Sequence, residues 1–346
     1  MQKIKTALLS YGMSGKIFHA PFVHLHKGYE LTGAWERSTK NIQNDYPGVK
    51  SYDTIEELLA YDIQLVIVNT PVNTHYQYAK HALNTGKNVL VEKAFTTTAA
   101  EAEELQALAK EKGLKLTVYQ NRRYDSDFKT VKKVLEDKLL GDIVEAEIHF
   151  DRYNPQLSPK AHKETGEPGA GILWDLGSHI IDQAVQLFGY PQAVFSDMRK
   201  TRDNSKIDDW FDILLYYPHT RVRVKAGFFM REPVPSYILH GTKGSFLKQR
   251  GDVQEDELKN GKKPGTDNWG TEPEDKAGLL HTESNGETIK KTIPTEKGNY
   301  YNLFDDLYEA LTANSALPVT ADEAIQVMKI IDAVQKSSEL KKVIQL

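Results

Sequence analysis

Apolar positions along the chain follow two different rhythms. Between residues 4 and 120, short apolar runs alternate with longer amphipathic stretches. The runs at 4–9, 29–35, 65–68, 88–91 and 115–119 predict strands, and the stretches at 15–25, 54–60, 74–85 and 98–112 predict helices. Leu65, Val66, Ile67 and Val68 are apolar on both faces, as a parallel strand covered on both sides requires. Asp53 and Thr54 form a cap-like start to the second helix, and Gly86 and Gly113 stop the third and fourth. Strand–helix alternation at this interval implies a parallel sheet with right-handed crossovers.

Beyond about residue 121 the rhythm changes. A helix at 127–137 leads to a long strand at 143–153, a loop rich in Pro, Lys and Gly to 171, and a helix at 175–188. Strand-like runs follow one another at 193–201, 209–217, 221–229, 236–240 and 245–248, which means an antiparallel or mixed sheet. Residues 250–278 form a polar excursion, and helices at 300–312 and 321–339 close the chain. The expected fold is therefore α/β: an N-terminal Rossmann dinucleotide-binding domain at 1–120, and a C-terminal α+β domain at 121–346 with a large, mostly antiparallel open sheet. The second domain is expected to bind substrate and to carry oligomerisation.

Composition narrows the chemistry. The 346 residues suit two domains, and a net charge of -4 without a basic face speaks against nucleic acid as a partner. The absence of cysteine excludes disulfides, thiolate metal sites and cysteine nucleophiles. His19, His24 and His26 have no metal-ligand spacing, so no metal is expected. No apolar run reaches ~18 residues and the N-terminus has no signal-type h-region, so a soluble, cytoplasmic protein is expected.

The first strand runs into Ser10, Tyr11, Gly12, Met13, Ser14 and Gly15, a G-x-G-x-x-G dinucleotide fingerprint with Ser in place of the first Gly. Gly12 would let backbone approach a pyrophosphate, Gly15 would let helix and strand pack closely, and the helix N-terminus would favour the anion. Glu36 ends the second strand 21 residues after Gly15, near the ~20-residue offset of a ribose-binding carboxylate. That carboxylate would repel a 2′-phosphate, which favours NAD; Arg37, Ser38 and Lys40 could instead cradle the phosphate of NADP. Asp175 and His179 stand at i and i+4, on one face of a helix, and Lys93 stands just past the fourth strand. Histidine is the natural base for alcohol oxidation near neutral pH, and an ammonium stabilises a developing alkoxide.

Three further segments carry a resemblance. Thr70, Pro71, Asn73 and His75 form a T-P-x-x-x-H stretch, Glu92, Lys93 and Ala94 an E-K-P-like one, and Asp175 with His179 a D-x-x-x-H one. With the fingerprint, in this order and spacing, the whole chain resembles the glucose–fructose oxidoreductase, inositol dehydrogenase and rhizopine-catabolism (Gfo/Idh/MocA) family. The resemblance is narrower at Asn121, Arg122, Arg123, Tyr124, Asp125, Asp127 and Phe128, at Phe18, His19, Ala20 and Pro21, and at Asn268, Trp269 and Gly270, which are similar to bacterial scyllo-inositol dehydrogenases. The chain departs from the family at Ser10, and at Ala94, where the family's Pro commonly follows a cis peptide.

The resemblance implies an NAD(P)-dependent oxidoreductase that moves a hydride between nicotinamide and a secondary hydroxyl or ketone of a polyol, inositol or sugar. Lys93, Asp175 and His179 are then the catalytic set. Tyr11, Gly12, Met13, Ser14, Gly15, Glu36, Arg37, Ser38, Thr70, Pro71, Asn73, His75, Glu92 and Lys93 belong to the cofactor segments. Arg122, Arg123, Tyr124, Arg152 and Tyr153 are candidates for substrate contact. Relatives form dimers or tetramers, so a homo-oligomer through the C-terminal sheet is expected, on a face bearing Phe211, Ile213, Leu215 and Phe228. Two alternatives from other classes are a non-catalytic dinucleotide-binding regulator and an NAD-dependent glycosidase of the same fold. The presence of all three catalytic residues disfavours the regulator.

Overall fold

The computed structural model describes residues 3–37, 39–158 and 164–346. They fall into two compact units: Met1–Asn121 with Gln254–Asp267 and Tyr300–Ile325, and Arg122–Val253 with Asn268–Asn299 and Gln326–Leu346. The first unit holds a six-stranded sheet of β1 (Ile4–Leu8), β2 (Tyr29–Trp35), β3 (Lys50–Tyr52), β4 (Leu65–Val68), β5 (Asn88–Glu92) and β6 (Leu116–Tyr119). All pairings are parallel in the order β3-β2-β1-β4-β5-β6, so the winding reverses between β1 and β4. The crossovers carry α1 (Ala20–Leu25), α2 (Asn41–Asp45), α3 (Ile55–Leu59), α4 (His75–Asn84) and α5 (Ala99–Glu111). Thr54 and Thr98 cap α3 and α5, accepting the amides of Glu57 and Glu101 at 3.1 and 3.3 Å. Every residue of β4 and β6 is buried.

The second unit is built on a nine-stranded sheet, β7 (Ile143–His149), β8 (Ala193–Arg199), β9 (Trp210–Tyr216), β10 (Arg221–Gly227), β11 (Tyr237–Gly241), β12 (Gly244–Lys248), β13 (Gly278–Ser284), β14 (Glu287–Ile293) and β15 (Ile344–Gln345). The order is β14-β13-β12-β11-β7-β10-β9-β8-β15, antiparallel except for β7 with β10. The hairpin of β13 and β14 is absent from the sequence expectation, because β14 buries none of its residues and shows no apolar alternation. Its turn is nonetheless encoded: Asn285 and Gly286 adopt φ of 54° and 81°, the left-handed pair of a two-residue hairpin. The regular strand expected over 143–153 ends at His149; beyond it the chain stays tied to the end of β10 by the amides of Phe150 and Arg152, which donate to the Lys225 and Gly227 carbonyls, and by a bridge from Tyr153 to Phe229.

One face of this sheet is covered by α6 (Ser126–Glu136) and α7 (Ser178–Phe188). Phe211, Ile213 and Leu215 are fully buried, and Phe228 nearly so, on the covered side. The expected open face is therefore the wrong one: strand alternation puts Trp210, Leu214 and Tyr216 on the other side, next to Phe195, all half-buried.

Two segments that the sequence assigns to the second domain group instead with the first unit. They include α8 (Gln254–Lys259) and α9 (Tyr301–Thr312). The physical reason is aromatic: Phe304 of α9 stacks on Phe22 at 5.1 Å, and Tyr29 donates its hydroxyl to the Phe304 carbonyl at 2.9 Å. The final helix, α10 (Ala321–Leu340), seats on β8, where Ser196 donates its amide to Ser337 Oγ at 3.0 Å and its hydroxyl to the Val334 carbonyl at 2.6 Å.

A fully buried ion pair, Lys248 Nζ to Glu272 at 2.6 Å, closes the core beside β12. Removing one partner strands the other charge, so Lys248→Met should cost about 3–5 kcal/mol in urea unfolding. A loss below about 1 kcal/mol, the level of an exposed pair, would contradict this account.

Candidate active site

In open α/β sheets ligands bind beyond the carboxyl ends of the strands where the winding reverses. Here that point lies between the turn after β1 and the segment after β4. Asn69 joins them, donating its side-chain amide to the Ser10 carbonyl at 2.8 Å. Gly15 lies beneath this bond. A Cβ on Gly15 would collide with the Ser10 carbonyl oxygen and come within 2.9 Å of the Asn69 amide. A Cβ on Gly12 would meet only Ser10 Oγ, at 3.5 Å. The two glycines thus serve different ends: Gly15 permits close packing, and Gly12 leaves an exposed backbone surface. Ser10, in place of the family's Gly, uses its hydroxyl to accept the Gly12 amide at 3.2 Å.

Around this turn Met13 is exposed and Ser14 half-buried, whereas Tyr11 is buried with its hydroxyl donated to Asp45 at 2.8 Å. The chain then enters a π-helical turn, Gly15–His19, before α1. Thr70, Pro71 and Asn73 line the segment after β4, where Thr74 Oγ1 donates to the Pro71 carbonyl at 2.6 Å.

Glu36 does not present a vacant carboxylate. It is buried and accepts the amides of Asn41 and Ile42 at 3.0 and 3.2 Å and the Ser51 hydroxyl at 3.0 Å. It caps α2 from outside its own strand. Arg37 is exposed, Lys40 is exposed and paired with Asp53, and Ser38 lies outside the described residues.

Lys93 follows β5, the neighbour of β4, and is half-buried. The Lys93–Ala94 peptide is cis, with Ala standing where the family has Pro. Its surroundings are held by two fully buried histidines. His19 Nε2 meets Glu92 Oε1 at 2.8 Å, while Glu92 Oε2 accepts the Lys93 amide at 3.2 Å. His75 places Nδ1 2.9 Å from the Ala94 carbonyl and Nε2 2.8 Å from the Thr70 carbonyl. Burial pushes the Glu92 carboxyl up, but the His19 hydrogen bond and the charges of His19, Lys93 and His75 outweigh it and hold the group below its ordinary range. Burial holds His75 below the usual histidine value. Glu92 and His75, expected in the cofactor segments, thus direct their polar atoms to the chain itself.

In the second unit Asp175 lies in another π-helical turn, Leu173–Gly177, and His179 in the first turn of α7. Asp175 is half-buried and His179 buried. Ser178 ties the two segments together through a 2.7 Å bond to the Trp174 carbonyl. One turn further along α7, Asp182 receives a two-pronged bond from Arg123, Nε at 2.8 Å and Nη2 at 2.7 Å. Arg123 thereby anchors the helix that carries His179.

Arg122 and Arg152 do come together. Their guanidinium carbons lie 5.2 and 5.0 Å from the Phe150 ring centre, and that of Arg250, which stands in no motif, lies at 4.2 Å. Gln183 links this group to α7, donating to the Arg122 carbonyl at 3.1 Å and accepting the Tyr237 hydroxyl at 3.1 Å. Tyr153 is exposed and covered by Arg231, and the Tyr124 carbonyl accepts the Asn299 amide. Arg250 and Tyr237 carry no local motif; the pairing of β11 with β7 brings Tyr237 here, and Arg250 follows β12, the other neighbour of β11.

A glycine turn of this build at a switch point defines a Rossmann-type dinucleotide-binding protein. Membership is narrower than that class. Residues 4–120 match the NAD-binding Rossmann fold of the oxidoreductase family Gfo/Idh/MocA, and residues 132–346 match its C-terminal alpha/beta domain. The chain belongs to this oxidoreductase family. It is 37% identical to scyllo-inositol 2-dehydrogenase (NADP(+)) of Bacillus subtilis, over 99% of this chain and 96% of that one. Among solved structures, the oxidoreductase yvaA of Bacillus subtilis superposes with a TM-score of 0.96 at 37% identity, covering 100% of this chain and 99% of the other. An oxidoreductase of Bacteroides fragilis gives 0.91 at 44% identity with both chains covered completely. Among the described residues no helix is long and apolar enough to cross a membrane.

The two glycines should respond differently to alanine. Gly15→Ala should destabilise the free protein by about 1–3 kcal/mol through overpacking. Gly12→Ala should leave it unchanged or stabilise it by up to about 1 kcal/mol, yet weaken dinucleotide binding measured by calorimetric titration. Equal stability losses in the two variants would refute the division of roles.

Proposed function

We propose that the protein transfers a hydride between NADP(H) and a secondary hydroxyl or ketone of a polyol, inositol or sugar. The observation that carries this reading is the position of Lys93, braced just beyond β5 beside the switch point of a dinucleotide fold. The relative named as an NADP-linked scyllo-inositol dehydrogenase supports an inositol or similar polyol. Glu36 supports NADP over NAD, because its carboxylate is spent on the α2 amides and Ser51 while Arg37 stands exposed beside it. Gly12, Met13, Ser14 and Gly15 would hold the pyrophosphate, Thr70, Pro71 and Asn73 the nicotinamide half, and Arg37 and Lys40 the 2′-phosphate.

When bound, the dinucleotide supplies a nicotinamide able to accept or return a hydride. His179 takes the hydroxyl proton on an imidazole nitrogen. Lys93 Nζ stabilises the oxygen as negative charge develops on it. Asp175 orients the imidazole or the substrate, and Arg122 and Arg152 contact the substrate; Arg123 acts indirectly, through Asp182.

Turnover of a polyol panel, followed by absorbance of the reduced cofactor, tests the reading. NADP should bind at least about tenfold more tightly than NAD, the scale of one charge-assisted phosphate contact. His179→Ala should lower kcat by about 10²–10⁴ and remove the acid limb of alcohol oxidation, since protonated His179 cannot accept a proton. Retention of more than about half of wild-type turnover, where general-base loss should cost about 10² or more, would refute His179 as the base.

We also propose that two copies pair through the open face of the large sheet, where Trp210, Leu214, Tyr216 and Phe195 lie uncovered by this chain's helices. Light scattering should give a dimer or tetramer, and Leu214→Arg should give a monomer. A monomeric wild-type mass would overturn the proposal.

A further inference from the structure

We infer that His19 is a positioning residue for Lys93, acting through the carboxylate of Glu92. The inference rests on the role proposed for Lys93. His19 is fully buried at the end of the π-helical turn, against the rings of Tyr119 at 4.5 Å and Phe304 at 6.5 Å. A phenylalanine would pack in such a place at no polar cost, whereas an imidazole must recover its lost hydration through a hydrogen bond. Its Nδ1 has no partner among the described residues, so its one polar contact is Glu92, at 2.8 Å.

That contact fixes where the Glu92 charge lies. With Oε1 on His19, Oε2 is directed to the Lys93 amide at 3.2 Å. The carboxylate is thereby held next to the residue whose ammonium it favours. On the far side, His75 binds the Ala94 carbonyl, so the peptide on each side of Lys93 is restrained. The charged or titratable groups that bear on Glu92 are His19, Lys93 and His75. His19 also terminates the turn that starts at Gly15, so its bond to Glu92 joins the far end of that turn to the segment bearing Lys93.

The test uses the full-length chain with three substitutions: His19→Phe, which keeps the ring volume and loses the bond; His19→Gln, whose amide can still donate to Glu92; and Glu92→Gln, which keeps the shape and loses the charge. Two readouts are taken. The first is kcat, with dinucleotide affinity as control. The second, independent of any substrate, is the pH dependence of Lys93 labelling by acetic anhydride, read on the Lys93 peptide. His19→Phe should lower kcat about 10- to 100-fold, the scale of a misplaced catalytic group, with dinucleotide affinity unchanged. The labelling midpoint should move to lower pH in His19→Phe and in Glu92→Gln, and stay in place in His19→Gln. The double variant His19→Phe/Glu92→Gln should be no worse than Glu92→Gln alone, because both act on one path.

An unmoved labelling midpoint in His19→Phe, or additive losses in the double variant, would overturn the inference. A shifted midpoint with undiminished kcat would instead refute the catalytic role of Lys93 and leave the coupling intact. Should His19→Phe fail to fold, His19→Asn, too short to reach Glu92, takes its place with the same expected results.

Discussion

At the carboxyl edge of the parallel sheet, one contact leaves no room for a side chain. The Ser10 carbonyl, the Asn69 amide and the backbone of Gly15 meet so closely that a methyl group at Gly15 would have to force them apart. This contact sets the distance between β1 and the helix that follows, and Asn69 ties that helix to the segment after β4. From there the constraint passes to Lys93 in two directions: through the first helix to His19 and Glu92, and through His75, which spans the Thr70 and Ala94 carbonyls. The surface left for a ligand is accordingly backbone at Gly12, while the side chains around it mostly bind one another.

The second unit uses buried charge to the same end. Arg123 and Asp182 form a two-pronged pair, Lys248 and Glu272 one with a single contact, and Asp127 accepts the Gly251 and Asp252 amides and shares the Tyr237 hydroxyl with Gln183. Buried ions of this kind add little to stability over apolar replacements, but breaking one is costly. Their value here is orientation: α7, which carries His179, is held by Arg123 at one point and by Gln183, through the Arg122 carbonyl and Tyr237, at another. Asp125, in the same group, is driven far above the usual carboxylate range by burial, with the Arg122 charge opposing.

Much of this could be read from residue order. The alternating rhythm of the first 120 residues, the Thr54 and Thr98 caps and the glycine turn give the parallel sheet and its switch point, because each rests on local chemistry. What could not be read is what depends on partners distant in sequence. Glu36 sits at the offset of a ribose ligand, yet its carboxylate is taken by the amides of Asn41 and Ile42, five and six residues on. Phe211, Ile213 and Leu215 show that a face is apolar, but not which face the helices will cover. Phe304 belongs to the first unit through partners far off in sequence, Phe22 and Tyr29 nearly the length of the chain away. The β13–β14 hairpin announces itself in Asn285 and Gly286 alone, since its outer strand buries none of its residues and shows no apolar alternation.

Both helices bearing candidate residues pass through a five-residue π turn, Gly15–His19 in one and Leu173–Gly177 in the other. A π turn is, in effect, an α-helix that has gained one residue. Deleting a residue from either turn would let the helix rewind to regular geometry and close the widened turn, with the flanking turns kept close to their present phase. The residues displaced would be those of the turn itself: His19 at the end of the first, which meets Glu92, and Asp175 in the middle of the second. Each helix thus makes room for one residue more than its regular form holds, and its chemistry stands in that widened turn.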